Sequence, residues 1–234
     1  MSPDGSGPPR IHVSPDVGLV RELLAPATSE PSFTEARLRE RLERLVEAVR
    51  RGVAAEHRGV EVLVRNHLPT RARDGDLFER GLDEAELRRV VAADHGFGAW
   101  DDVPGSAEDD RDFEAAVGRV VCGDLDGLAR ALAREPSLVR RRSAHGHRAT
   151  LLHYVSANGV EIRRQTVPAN APRIARTLLA AGADPLAGAF LSGGSLTVRE
   201  LVRTSEHPWR AGVGEPLVEL LRAVEDGRGL PPPA

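Results

Sequence analysis

Three histidines are spaced so that their imidazoles could meet: His145 and His147 stand two residues apart, and His153 follows six residues after His147. Zinc accepts three imidazoles, and His207 joins them if the chain folds back. Against that, His145-Gly146-His147 reads as a loop whereas His153 falls in a helical run. Nucleophilic chemistry has a weaker basis, because no serine sits in a Gly-x-Ser-x-Gly elbow. Ser192-Gly193-Gly194-Ser195 precedes a helical run and offers backbone donors to an anion, but such stretches are commonly plain turns. Cys122 is the single cysteine; at the end of the apolar run Val120-Val121 it is expected to be a small buried hydrophobe rather than a nucleophile. No catalytic residue, metal or cofactor is therefore expected.

The basic residues are more informative. All 32 are arginine. Without an ammonium the chain cannot be a Gly-Lys-Ser phosphate-loop enzyme, a kinase with its paired lysine, or a pyridoxal-phosphate enzyme. Arg140, Arg141, Arg142, Arg148, Arg163, Arg164, Arg173 and Arg176 gather in one stretch. Such a cluster suits an acidic protein partner or a phosphate backbone. Nucleic acid is the weaker match, because Tyr154 is the only aromatic nearby to stack on a base. The third reading is a solvated surface in a protein rich in Arg, Ala, Gly and Pro.

Helices must position these groups. With 3% aromatic residues, the core has to be Leu, Val and Ala. A short helix is expected over Asp16 to Leu24, closed before Pro26. Ser32 and Glu35 have capping-box spacing, and Leu38, Leu42, Leu45, Val46, Val49 and Val53 then recur at three and four residues. Residues 59–67 fit both a strand and a helix; helix is favoured because no second strand is available. Asp83 caps a helix that Gly96 stops, and Phe97 and Trp100 are expected to plug the segment that follows.

From Asp112 the chain repeats one unit: helical run, glycine turn, helical run, loop. Phe113 to Val121, the turn Gly123-Asp124-Leu125-Asp126 and Leu128 to Arg134 make the first copy. Thr150-Leu151-Leu152-His153 opens the second, Asn158-Gly159 stops its first helix, and Arg173 to Leu179 precede Ala181-Gly182-Ala183-Asp184-Pro185. Leu196 to Val202 and Glu215 to Val224 make a third. The openings at Phe113, Thr150 and Ser195 lie 37 and 45 residues apart, the excess falling on the inserted Ile162 to Pro172.

This pattern resembles ankyrin repeats, whose period is about 33 residues. With Gly96-Phe97-Gly98-Ala99-Trp100 ahead of the repeats, the chain is similar to bacterial ankyrin-repeat-domain proteins. Leu151 stands where the pattern has proline. The resemblance implies an all-α fold, a short stack of about three degenerate repeats capped by an N-terminal helical segment. It gives Thr150, His153, Gly159, Gly182 and Asp184 structural roles, with His153 bonding backbone between repeats. It also implies protein interaction through inter-repeat loops, assigned to Arg141, Arg142, His145, His147, Arg148, Arg163, Arg164 and Asn170, and to the finger Phe190 to Ser195.

Residues 1–15 are expected as a disordered lead, 16–111 as the capping segment, 112–226 as repeats and 227–234 as a free tail. Residues 1–111 carry 16 Arg against 22 acidic groups, net −6, and residues 112–234 carry 16 against 13, net +3. The repeat half can therefore face the other half or an acidic partner. No apolar run spans a bilayer and no leader is evident, so a cytoplasmic, monomeric protein with no membrane or nucleic-acid partner is expected. The alternative to an adaptor is a small-molecule enzyme using His145, His153 or His207 beneath the 162–172 insertion.

Overall fold

The computed structural model describes residues 9–73, 75–105, 111–191 and 194–230, and it is mostly helical. The N-terminal layer comprises α1 (Pro15–Thr28), α2 (Pro31–Glu35), α3 (Leu38–Ala54), α4 (Arg58–His67), α5 (Pro69–Ala72), α6 (Leu77–Arg80) and α7 (Glu84–Asp94). Ser14 caps α1, and the helix runs through Pro26 instead of stopping before it. The missing N–H falls in the last turn, where the Thr28 hydroxyl donates to the Leu24 carbonyl at 3.1 Å and steadies the end. The Ser32–Glu35 box does not form either. The Ser32 hydroxyl accepts from Arg44 Nη1 at 2.8 Å, and α3 starts afresh after Arg37, whose N–H donates to Glu40.

Apolar stripes of α1, α3, α4 and α7 converge on one core, among them Val20, Leu24, Leu42, Val49, Val60, Leu63, Leu87 and Val90. Phe97 and Trp100 join this core, not the segment that follows; Arg39 and Arg88 stack over the Trp100 ring at 5.5 and 5.6 Å.

A second core belongs to α8 (Arg111–Cys122), α9 (Leu125–Arg134), a 3-10 segment Leu151–Ser156, α10 (Ala171–Ala180) and α11 (Val198–Thr204), and, beyond α12 (Glu206–Arg210), which packs beside it, to α13 (Gly214–Glu225). Two rows emerge. The 3-10 segment packs between α8 and α11, and α10 packs between α9 and α13. The middle leading element is tight because all six of its residues are buried and Ala157 turns left-handed (φ 46°) directly after it. Pro172 opens α10 in its first turn, so the helix begins within the stretch assigned to the insertion. Cys122 is exposed, contrary to the expectation of a buried hydrophobe, because it follows the buried face of α8 on its solvent side.

Two short antiparallel pairs complete the fold. β1 (Ile11–His12) pairs with β2 (Val167–Pro168), so the end of the expected disordered lead is ordered by the inserted loop. β3 (Gly188–Leu191) and β4 (Gly194–Thr197) form a hairpin with Gly188 opposite Thr197. Among the described residues no helix is long and apolar enough to cross a membrane.

Candidate functional site

The N-terminal layer covers the loops that the repeat pattern presents as a contact surface. Gly146 donates to the His95 carbonyl at 2.9 Å, and Ile162 N–H donates to Asp94 Oδ1 at 3.1 Å. Ile162 is part of the N-terminal core although it lies on the inserted loop. Between the layers sits a buried polar cluster. Glu161, 0% exposed, lies with Oε1 2.5 Å from His145 Nδ1 and 3.2 Å from Arg164 Nη1, and with Oε2 3.6 Å from His147 Nε2. Arg164 also bonds Glu114 and lies over the Tyr154 ring at 5.9 Å.

Charge and burial compete here. Burial alone raises a carboxyl, but Arg164 and His145 hold Glu161 well below the usual range, and Arg164 brings Glu114 down to about 2. Burial, then His145, pushes His95 down to about 3, so its ring is neutral; burial also lowers His147. Arg163 is lowered to about 10 by burial and by Arg164. His67 Nε2 lies 3.1 Å from Asp94 Oδ1 at the edge of the cluster; burial raises the Asp94 carboxyl, but the His67 bond, the neighbouring imidazoles and the Ile162 N–H together lower it.

The expected contact residues thus separate. His145 and His147 are buried, which removes them from any partner-facing surface. Arg163 and Arg164 are half-buried between the layers, with Arg164 paired to two carboxylates. Asn170 Nδ2 donates to the Gly123 carbonyl at 2.9 Å. Arg142 bonds the carbonyls of Arg148 and Gly188 and so anchors the hairpin. Arg141 is half-buried beside Ser137 and Glu135; Arg148 is exposed. For His145, His147, Arg163 and Arg164 the reason is shared: their side of the loops faces the chain's own N-terminal layer.

The residues expected to have structural roles lie together in the C-terminal half. Thr150 N–H donates to His153 Nδ1 at 3.1 Å, with its hydroxyl 2.8 Å from the same atom. Gly159 (φ 70°) lies against the Leu191 side chain, Gly182 (φ 93°) turns the chain after α10, and Asp184 Oδ1 accepts from Leu186 N–H at 2.9 Å. His145, His153 and His207 do not share a cavity: the first two are buried, and His207 is paired with His12, ring centres 6.5 Å apart.

An open cleft of about 880 Å³ lies between the layers and beneath the hairpin, walled by His67, Asp94, Phe97, Asn158, Gln165 and Phe190 among others. The hairpin is fixed at its base by Arg142 and by Phe190 N–H donating to the His147 carbonyl at 2.8 Å. Phe190 is nevertheless 57% exposed. The turn at Ser192-Gly193, considered above as an anion site, lies outside the described residues.

Sequence reasoning missed His95, Asp94, Glu114, Glu161 and His67. Glu161 did carry a signal, a single charge inside the apolar run Val160-Glu161-Ile162; Glu114 lies 50 residues from its partner Arg164 and carried none. Comparisons with models of known families, with curated proteins and with solved structures find no match to this chain.

Proposed function

We propose that this chain is a protein-interaction module built on a short, degenerate ankyrin-like stack, with the hairpin and the cleft beneath it as its contact surface. The two rows of paired elements support the stack: α8, residues 151–156 and α11 lead, and α9, α10 and α13 return. The Thr150–His153 bond supports it locally, since it caps the first turn of the middle unit, although it lies within that unit and not between repeats.

One observation carries the choice of surface: Phe190 presents a large apolar ring to solvent from a hairpin whose base is held rigidly over a cleft. Aromatic residues fixed in this way anchor interfaces at low cost in side-chain entropy. Exposed Arg148 borders the hairpin and favours an acidic segment in the partner. An extended peptide suits an open cleft better than a globular face does.

The test is affinity capture from the host's extract with the native chain, with Phe190→Ala and with Arg148→Ala, read by mass spectrometry beside circular dichroism. A specific protein retained by the native chain should be reduced about tenfold or more by Phe190→Ala and less by Arg148→Ala, as expected for a central anchor and a rim charge, with helicity unchanged. Equal retention by all three would remove the hairpin from the interface.

A further inference from the structure

The buried cluster contains more polar atoms than its hydrogen bonds satisfy. Both ring nitrogens of His145 lack hydrogen-bond geometry to any described residue despite the close approach of Nδ1 to Glu161, and so do His147 Nε2 and Glu161 Oε2. All three residues are at most 1% exposed. A buried polar atom left unsatisfied keeps its full desolvation cost, and here four of them meet in one place.

Tautomers decide what these atoms can do. His95 Nδ1 faces the Val91 carbonyl at 2.8 Å, which only accepts, so Nδ1 carries the hydrogen and Nε2 the lone pair. His145 Nδ1 lies 2.5 Å from Glu161 Oε1 without the geometry of a hydrogen bond, so the two atoms present lone pairs side by side, as two donors to one ion do. His147 is the reverse of His95. Its Nδ1 accepts from Ala149 N–H at 3.1 Å, so its hydrogen is on Nε2, 3.6 Å from Glu161 Oε2, and neither nitrogen has a lone pair left for a metal. Held through Nδ1–H by a carbonyl, His95 has the usual form of a metal-ligating histidine.

We infer that His95, His145 and Glu161 form a binding site for a divalent transition ion, zinc by the softness of its donors, which pins the N-terminal layer to the repeat half. One ligand atom from each residue lies within 4.8 Å of the others, so shifts of less than a residue's width bring them to the separations of a tetrahedral site. Two imidazoles and a carboxylate select zinc over calcium or magnesium, which take oxygen. Glu161 supplies the carboxylate oxygen of the set, one donor beside the two imidazoles. Glu114 and Asp94 add negative charge nearby, while Arg163 and Arg164 oppose it; Arg164 is offset by its own pairing to Glu114. The ligands come from the end of α7 and from two loops of the repeat half, so the ion joins elements on both sides of the layer boundary. Three protein donors leave the fourth tetrahedral position to a water, and burial closes the site to a substrate.

The experiment uses the full chain, stripped with chelator and reloaded with zinc or cobalt(II). Expected are one zinc per chain by elemental analysis, a cobalt d–d spectrum of tetrahedral type, and a lower thermal midpoint after stripping that zinc restores. Glu161→Gln and His145→Gln should lose the stoichiometric ion, whereas His153→Gln, a buried histidine outside the set, should keep it. No bound zinc, no cobalt spectrum and a chelator-insensitive midpoint would overturn the site and leave a purely charge-paired cluster. Retention of zinc by both Glu161→Gln and His145→Gln would overturn it too. If those variants fail to fold, the native chain's cobalt spectrum and chelator response decide alone.

Discussion

His153 is buried in the neutral form. Its Nδ1 accepts from Thr150, and burial, then Arg142, lowers it from 6.5 to about 4. The sign follows from linkage: the unfolded chain takes up a proton near pH 6.5 and the folded chain only near 4, so the contribution is intact above pH 6.5 and is lost as the pH falls toward 4. A shift of that size corresponds to roughly 3 kcal/mol. In urea titrations from pH 7 to 4, the native chain should lose more stability than His153→Gln, whose amide cannot charge; parallel pH profiles would mean that the imidazole is not held neutral. Arg142 illustrates the same economy of groups at this scale, since the guanidinium that depresses His153 also anchors the hairpin.

At the scale of elements, the decisive contact is between the end of α7 and the loop at His147. Gly96 has φ 78°, and a Cβ there would lie 2.4 Å from the His147 nitrogen and 3.0 Å from its Cα. Gly182 has a similar left-handed conformation, φ 93°, with nothing within 4 Å. Alanine at Gly182 should therefore cost only the conformational penalty, about 1–2 kcal/mol. Gly96→Ala should cost about 2 kcal/mol more, because backbone cannot move aside. Denaturant midpoints compare the two, and equal losses would mean that the loop does not close on α7. The stop at Gly96 was legible in the sequence, as were the stripes of α3 and α7 and the helices flanking Gly123, because each is written in local spacing. β1 and β2 were not, since two residues carry no periodicity and their pairing spans more than 150 positions. Nor was the start of α3, where a distant arginine takes the Ser32 hydroxyl that the local pattern assigns to a cap. The covering of the loops escaped for a related reason: spacing tells which face of a helix is apolar, but not which other part of the chain will meet a polar loop.

At the scale of the molecule, two apolar cores are joined by a polar layer, and the question is whether they unfold together. Ile162 is the means of deciding it. It belongs by position to the C-terminal half but is buried in the N-terminal core, with α1 packed on residues 162–164. Separation of the layers would expose it, unpair β1 from β2 and open the close approach at Gly96. The two tryptophans report on opposite ends: Trp100 packs on the N-terminal core, and Trp209 donates from Nε1 to the Val202 carbonyl at 3.0 Å while covering Gly214. Fluorescence of Trp100→Phe and Trp209→Phe chains in urea isolates the two signals. They should give one midpoint, coincident with circular dichroism, as a single cooperative unit requires. Ile162→Ala, expected to cost about 2–4 kcal/mol through the cavity it leaves, should then lower both midpoints by the same amount. Were only the Trp100 signal to move, the halves would be independent domains and the polar layer a contact between them, without the coupling that the shared core implies.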